Sequence, residues 1–238
     1  MGEPFFQEKL INMRWMVLKA RVGPPKKRGV RLFTSLLLFA LSARLSALPV
    51  PIGEVEIGLE SFDGYQEGVA YVSTDESGTM LELFISYKGF GLDNVTWTLN
   101  SEDLLTFREV STNAAWWRSR LLEMNIEQAV ENDAALINPK LVYSHRKRLY
   151  PFEGAEHLLK FVRQGRDYAL TVAETSPGAG TKQVEEKTLP VFTLHFAGAQ
   201  LPILRDIISD ENVSFLLSEY AAEKAKIQAV LEGGPSGN

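Results

Sequence analysis

Apolar residues occupy every second position over residues 54–60, which is the clearest periodic pattern in the chain. The apolar positions are Val55, Ile57 and Leu59, and the carboxylates between and around them are Glu54, Glu56 and Glu60. Successive side chains of a β-strand point to opposite faces of the sheet. The pattern therefore predicts a half-buried strand with its carboxylates in water.

Three further runs with strand character follow before residue 100. Residues 68–73, 81–87 and 95–99 are separated by turn-forming residues, including the dipeptide Asp63-Gly64 and a turn at 75–78. Short turns between successive strands are typical of an antiparallel meander. We expect Ile57, Leu83 and Trp97, which lie at the centres of their runs, to share one buried sheet face.

The hydrophobic period changes from two to about 3.6 after Ser101, which predicts a helix. Ser101 is expected to cap its first turn, and the apolar stripe continues to residue 129 with a candidate break at 111–113. Asn138-Pro139 is expected to end it. Because adjacent helical positions diverge by about 100°, one of Trp116 and Trp117 should be buried and the other exposed.

The second half of the chain repeats this order of strands followed by helix. Strands are predicted at 141–144, at 157–163 and 168–173 as a hairpin, and at 192–196, whereas residues 176–187 are predicted to be a loop. A short helix at 201–208 and a longer one capped by Asp210 follow, and Gly233 and Gly234 end the latter. Residues 233–238 are predicted to be a disordered tail.

These elements predict an α+β fold whose antiparallel sheet of about eight strands, in two strands-then-helix halves, is backed by a long central helix and a C-terminal helix. Four strands and a helix, twice over, is similar in outline to the Whirly fold, which binds single-stranded nucleic acid. The likeness concerns the order of elements, and the charge considered below argues against that activity. We therefore assign the chain to no family.

Residues 26–47 have the pattern of a secretory signal. The basic flank is Lys26, Lys27, Arg28 and Arg31, followed by an apolar run at 32–43 and small residues. Only 12 residues separate Arg31 from Arg44, whereas a membrane-spanning helix needs roughly 20. We predict cleavage after Ala47 and export of one domain, residues 48–232, to the periplasm or the extracellular space. An uncleaved anchor and an organellar presequence are the alternatives.

The basic flank is preceded by 25 residues, although it normally lies at the very start of a signal. An over-called start explains this arrangement, with true initiation at Met13, Met16 or Val30. A long leader is the alternative.

Removal of the leader would make the protein distinctly acidic. The chain has 25 basic and 30 acidic residues; positions 1–47 hold 9 and 2 of these, so the remainder holds 16 and 28, a net charge of −12. Such a charge repels phosphate backbones, which argues against nucleic-acid partners. The chain has no cysteine, so its fold relies on its core rather than on disulfides.

One locally basic stretch contradicts this acidic character and is the candidate binding site. It consists of His145, Arg146, Lys147 and Arg148, with Arg163 and Arg166 nearby in sequence. Such a stretch can receive an anionic ligand or an acidic envelope protein. The alternative is a charged strand edge that prevents edge-to-edge pairing, which is common in β-proteins.

Two other groups of residues have chemical potential. Glu153, Glu156 and His157 lie close together in sequence and, with His145 or His195, can form a metal or acid–base site, but no HExxH motif is present and a polar turn before a strand is the favoured explanation. The second group is an aromatic set that can stack on planar ligands or fill the core: Tyr65, Tyr71, Tyr87, Phe90 and Trp97.

No nucleophile–base pair, phosphate loop, dinucleotide fingerprint or metal-binding spacing is found, so no cofactor is predicted. The leading interpretation is an exported, non-catalytic binding or assembly module of the cell envelope, with an unknown envelope protein or anionic ligand as its partner. The alternative is an envelope hydrolase that uses the carboxylates and histidine between Glu153 and His157.

Overall fold

A computed structural model describes residues 49–61, 64–89, 92–126, 128–145, 148–152, 155–175, 181–184 and 187–232. At positions 87–89, 92, 145, 181–184, 187–190 and 231–232 the description covers the backbone alone. The predicted signal segment and the predicted tail lie outside the described residues. The chain divides into two compact units, residues 1–48 with 147–149 and residues 49–146 with 150–238, and the account below concerns the second.

The described residues form twelve strands and three α-helices. The elements of the first half are β1 (Val50–Ser61), β2 (Gly64–Thr74), β3 (Leu81–Gly89), β4 (Leu92–Leu99) and α1 (Ser101–Glu123). Seven strands follow: β5 (Glu131–Ile137), β6 (Lys140–His145), β7 (Arg148–Phe152), β8 (His157–Gln164), β9 (Asp167–Glu174), β10 (Thr181–Val184) and β11 (Lys187–Pro190). The chain continues through β12 (Thr193–Ala197), a 3-10 turn (Gly198–Gln200), α2 (Leu201–Ile208) and α3 (Asp210–Glu232).

Ten of the strands form one sheet in the order β5-β8-β9-β12-β1-β2-β3-β4-β6-β7, and β10 and β11 form a separate ribbon. The recorded neighbouring pairs are antiparallel. The predicted α+β class and antiparallel sheet are therefore confirmed, with ten strands in place of about eight. The meander β1–β4 is local in sequence, whereas the pairing of β1 with β12 joins the two halves into a single sheet.

One face of this sheet forms the core. Leu83 lies directly opposite Trp97, and Ile57 lies on the same face, each with 4% or less of its surface exposed. The predicted register is thus confirmed. On β12, which pairs with β1, Leu194 lies opposite Leu59 of β1. This pair extends the same apolar layer across β12.

The sheet curls around this core. The rings of Trp97 on β4 and His157 on β8 lie 4.7 Å apart, although six strand spacings separate these strands in the sheet order. In a flat sheet that separation would be about 29 Å at roughly 4.8 Å per strand. Tyr143 on β6 likewise stacks on Phe192, which precedes β12. The core faces of distant strands therefore contact one another directly.

Helix α1 packs on the core face. Asn100, rather than the predicted Ser101, caps it, because its side-chain oxygen accepts from the backbone amides of Glu102 and Asp103. Phe107 contacts Phe196 at 6.0 Å between ring centroids, and further along the helix Trp117 contacts Phe161 at 5.5 Å.

The two tryptophans of α1 diverge as expected: Trp117 is partly buried, and Trp116 is 59% exposed with the Arg120 guanidinium over its ring.

The prediction that the helix continues to Asn138 is wrong. Asn125 adopts a left-handed conformation (φ 50°), and the amides of Asn125 and Ile126 return to carbonyls of the last helical turn, which ends α1. Residues 131–137 then form β5, because pairing with β8 satisfies their backbone groups. The predicted loop at 176–187 is likewise corrected in part, since residues 181–184 pair with 187–190 as β10 and β11.

The last two helices begin near their predicted positions. Ser209, rather than Asp210, caps α3, since its hydroxyl accepts from the Asn212 amide. Val213 and Leu217 of α3 pack over Gly78, whose positive φ of 74° suits the turn between β2 and β3. No helix in the described ranges is both long and apolar enough for a membrane span.

Because only one face of β1 is buried, substitutions on its two faces should lower the stability of the protein by different amounts. Ile57→Ala should lower the free energy of unfolding by about 2 to 5 kcal/mol, because it leaves a cavity in the core. Glu54→Ala, on the opposite face, should change it by less than about 0.5 kcal/mol. Urea denaturation of both variants tests the register, and equal losses would contradict it.

Candidate functional site

The residues of the predicted basic stretch have different roles. Arg148 is exposed at the start of β7, an edge strand of the sheet, and Arg166 is exposed in the β8–β9 turn. Arg163 is used structurally, because its guanidinium donates to the carbonyls of Gly165 and Gln128 at 3.2 and 3.3 Å. Arg146, Lys147 and the side chain of His145 lie outside the described residues. Of the two arginines near the β8–β9 turn, Arg163 is thus engaged by carbonyls and Arg166 is exposed.

The predicted acid–base group is divided between the core and the surface. His157 is 1% exposed; its Nδ1 lies 2.8 Å from the Ala155 carbonyl and its ring packs on Trp97. Glu156 is exposed, and Glu153 lies outside the described residues. The two described members of the group therefore lie in different environments, Glu156 exposed and His157 buried. Nowhere in the described ranges do three or more His, Asp or Glu side chains form a set that could hold a metal ion.

The predicted aromatic set is also divided. Trp97 belongs to the core face, whereas Tyr65 is 54% exposed on the opposite face. Tyr71 lies on that opposite face as well, partly buried, with its ring 6.4 Å from that of Phe84. The side chain of Tyr87 and all of Phe90 lie outside the described residues. The aromatic residues therefore do not form one continuous platform.

An ion pair between Arg118 and Asp167 stabilises the packing of α1. Arg118 on α1 donates through Nε and Nη2 to the two carboxylate oxygens of Asp167 at 2.8 and 2.9 Å. This bidentate pair holds the pKa of Asp167 below its ordinary value and raises that of Arg118. A side chain at Gly198 would overlap the pair, since an added Cβ would lie 2.4 Å from Arg118 Nε. The pair therefore ties α1, the β8–β9 hairpin and the 3-10 turn together.

The carboxyl of Glu82 on β3 has a raised pKa, in contrast to that of Asp167. Burial raises the pKa of its carboxyl, a hydrogen bond with Ser73 acts against this, and the charge of Asp75 adds to the rise. Its neighbours across β2 and β4 are Ser73 and Thr98. These hydroxyl-bearing neighbours explain how a carboxyl is tolerated in a partly buried position.

The face of β1 and β2 opposite the core carries a concentration of carboxylates around one tyrosine. We call it the acidic–aromatic face and define it by five exposed residues: Glu54, Glu56, Glu60, Tyr65 and Glu67. The strand register places Tyr65 directly opposite Glu60 and Glu67 opposite Gly58. Directly opposed residues of paired strands lie on the same face, so the five side chains are neighbours on one surface.

His195 on β12 lies beside these residues. Its Nε2 is 2.9 Å from Glu60 Oε2, and its ring meets that of Tyr65 edge-on at 5.8 Å. The residue is 9% exposed, and its buried Nδ1 has no hydrogen-bond partner in the described part of the chain. His195 therefore has a carboxylate partner, Glu60, that lies outside the 153–157 group.

Gly58 leaves room for the ring of Tyr65 on this face. A Cβ built at Gly58 would lie 2.1 Å from the Tyr65 hydroxyl, so the phenol ring occupies the space that any larger residue would fill. Packing of a cross-strand aromatic ring over a strand glycine compensates for the missing side chain.

Sequence reasoning placed the glutamates in water but missed this cluster, because His195 and Glu60 are 135 positions apart. Only the pairing of β12 with β1 brings them together. No family model, no curated protein and no solved structure matches the chain.

The ion pair of Asp167 predicts a pH-dependent contribution to stability. Because its folded-state pKa is lowered, the contribution is fully present above the unfolded value of 3.8 and is lost as the pH falls through the folded-state pKa. Asp167→Asn should therefore lower Tm more at about pH 7 than at about pH 3. Thermal unfolding followed by circular dichroism measures both differences.

Glu123→Gln is the matched control, since it removes a carboxylate from the exposed pair with Arg120 and should barely change Tm at either pH. If Asp167→Asn lowered Tm equally at both pH values, the result would contradict a role for the charge of Asp167.

Proposed function

We propose that the protein is an exported module that binds a partner and does not catalyse a reaction. The observation that supports this best is the acidic–aromatic face, a set of exposed side chains held on paired strands of a large sheet. Rigid elements fix the relative positions of binding groups more tightly than loops do. Such a face is suited to recognition of a partner surface.

The alternative of an envelope hydrolase has less support in the described geometry. Its candidate base, His157, is enclosed by Trp97 and the Ala155 carbonyl, while Glu156 faces solvent. A general base must come within hydrogen-bond reach of the proton that it removes. His195 has a carboxylate partner, but its remaining ring nitrogen is buried. We therefore favour binding over hydrolysis.

The export proposal depends on the sequence of residues 26–47 and on the acidic composition of the remainder. In this proposal the leader is cleaved, and a cysteine-free α+β domain acts in the periplasm or outside the cell, where its partner is an envelope protein or an anionic ligand.

The basic stretch is the second candidate surface of the same module. Arg148 and Arg166 are exposed, which supports contact with an anionic partner. The position of Arg148 on an edge strand equally supports the protection of that edge against pairing. The two interpretations predict different effects of substitution, as set out below.

Export predicts that the native mature chain starts near Leu48. Intact-mass and peptide mass spectrometry of protein purified from the extracytoplasmic fraction of its host should find this N-terminus and no peptide from residues 1–26. A mature species that retains those peptides would contradict both cleavage and the over-called start.

An anionic partner predicts a specific effect of charge reversal. Replacement of Arg146, Lys147 and Arg148 by Glu should leave Tm nearly unchanged, because exposed charges contribute about 0 to 1 kcal/mol each. It should sharply lower the salt concentration that elutes the protein from immobilised heparin, the anionic probe. Lys226→Glu, on the exposed part of α3, is a control for the effect of a single charge reversal elsewhere on the surface.

Unchanged retention on heparin would favour edge protection instead. In that case Val or Thr at the same three positions should promote aggregation, which light scattering measures.

A further inference from the structure

We propose that the acidic–aromatic face binds an extended, lysine- and arginine-rich segment of a partner protein. This inference rests on the proposed function as a binding module and names the partner of one of its surfaces. Four observations carry it: the carboxylates without partners, the buried imidazole beside them, the spacing along β1 and the exposed tyrosine.

The first observation is an excess of hydrogen-bond acceptors. Glu54 and Glu67 make no hydrogen bond or ion pair in the described part of the chain, and both are exposed. Glu56 accepts from Gln200 through Oε2, and Glu60 contacts His195 through Oε2, so each retains Oε1 for another donor. Carboxylates are acceptors only. The face therefore suits a ligand that is rich in donors and positively charged.

The second observation is independent of the carboxylates. The His195 side chain projects onto this face, as its contacts with Glu60 and Tyr65 require, and the residue is 9% exposed. Since an ionised carboxylate can only accept, Nε2 carries a proton, and in the neutral imidazole Nδ1 is a further acceptor. That nitrogen has no partner among the described residues, and a buried polar atom without a partner is costly. This nitrogen is itself buried, so the imidazole adds to the local excess of acceptors without contacting a ligand through Nδ1.

The third observation concerns geometry. Residues 54, 56, 58 and 60 of β1 lie on one face at intervals of about 7 Å and together span about 20 Å. The ring of Tyr65 lies over Gly58, and Glu67 lies opposite Gly58 on β2, beside the row of carboxylates. A small cation contacts only one or two of these groups. An extended chain with basic residues at alternate positions matches the whole row, because its own side chains repeat at the same interval.

The fourth observation is Tyr65, which is 54% exposed and lies opposite Glu60 with its ring over Gly58. Its ring provides a surface on which a guanidinium or ammonium group can lie, and nearby carboxylates strengthen the attraction for a cation. A second copy of the chain is a poor occupant, because a contact between two such faces would bring eight carboxylates together. A basic segment of another protein therefore fits best.

The test uses the protein as purified from its host and four fluorescent probes: a peptide with four arginines alternating with serines, a peptide of the same composition with contiguous arginines, the alternating peptide with glutamate for arginine, and labelled spermine. Fluorescence anisotropy at several salt concentrations gives each affinity. We expect the alternating basic peptide to bind tightest, with an affinity that falls as salt rises, and the acidic peptide not to bind.

The combined substitution Glu54→Gln and Glu67→Gln should weaken binding of the alternating peptide about tenfold. Glu109→Gln with Glu219→Gln, a matched change of two exposed carboxylates on α1 and α3, should have no effect. Tyr65→Phe should keep most of the affinity and Tyr65→Leu should lose part of it, since only the former keeps the aromatic ring. Tm measurements on each variant identify losses that are due to unfolding.

Equal affinity for spermine, or for the contiguous peptide, would overturn the assignment of an extended segment. Unchanged binding after the double substitution of Glu54 and Glu67 would overturn the assignment of this face, as would dimerisation through it in sedimentation experiments. If no peptide binds while the chain is exported and is retained on heparin by residues 146–148, only this inference fails. The proposed function itself fails if neither export nor retention is observed.

Discussion

The curl of the ten-stranded sheet is the constraint on which the rest of the structure depends. A flat sheet of this width would leave a broad apolar face that one helix could not cover. Contact between Trp97 and His157, from strands six places apart, shows that the core face closes largely upon itself. Helices α1 and α2 then complete the enclosure, with Phe107 and Leu204 fully buried. A cysteine-free chain can therefore rely on packing alone.

Closure of the core face places polar residues in two environments, the core and the opposite, outer face. Polar residues enclosed by it are held in place, as His157 is by the Ala155 carbonyl and the ring of Trp97. The glutamates of the acidic–aromatic face stay in contact with solvent, and Glu54 and Glu67 make no hydrogen bond or ion pair in the described part of the chain. His157 is therefore part of the core, whereas Glu156 next to it in sequence is on the surface.

Charged groups connect parts of the chain that the sheet alone does not join. The Arg118–Asp167 pair links α1 to the β8–β9 hairpin, and Lys224 on α3 pairs with Glu76 in the β2–β3 turn at 2.9 Å. The His195–Glu60 contact links the two halves of the sheet across β12 and β1. Each occurs where secondary elements distant in sequence come together, so the same assembly that defines the fold also defines the surfaces available for a partner.

The sequence by itself determined the local elements: the alternation in β1 fixed which side of that strand is buried, and the positions of β2, β3, β4 and the β8–β9 hairpin followed from turns and periodicity. It did not determine β5, because residues 131–137 form a strand only through pairing with β8, nor the meeting of His195 with Glu60. Tertiary structure decided these features. The physical reason is that local periodicity shows only which face of a strand is apolar. The choice of neighbouring strand depends instead on the free energy of long-range pairing and core closure.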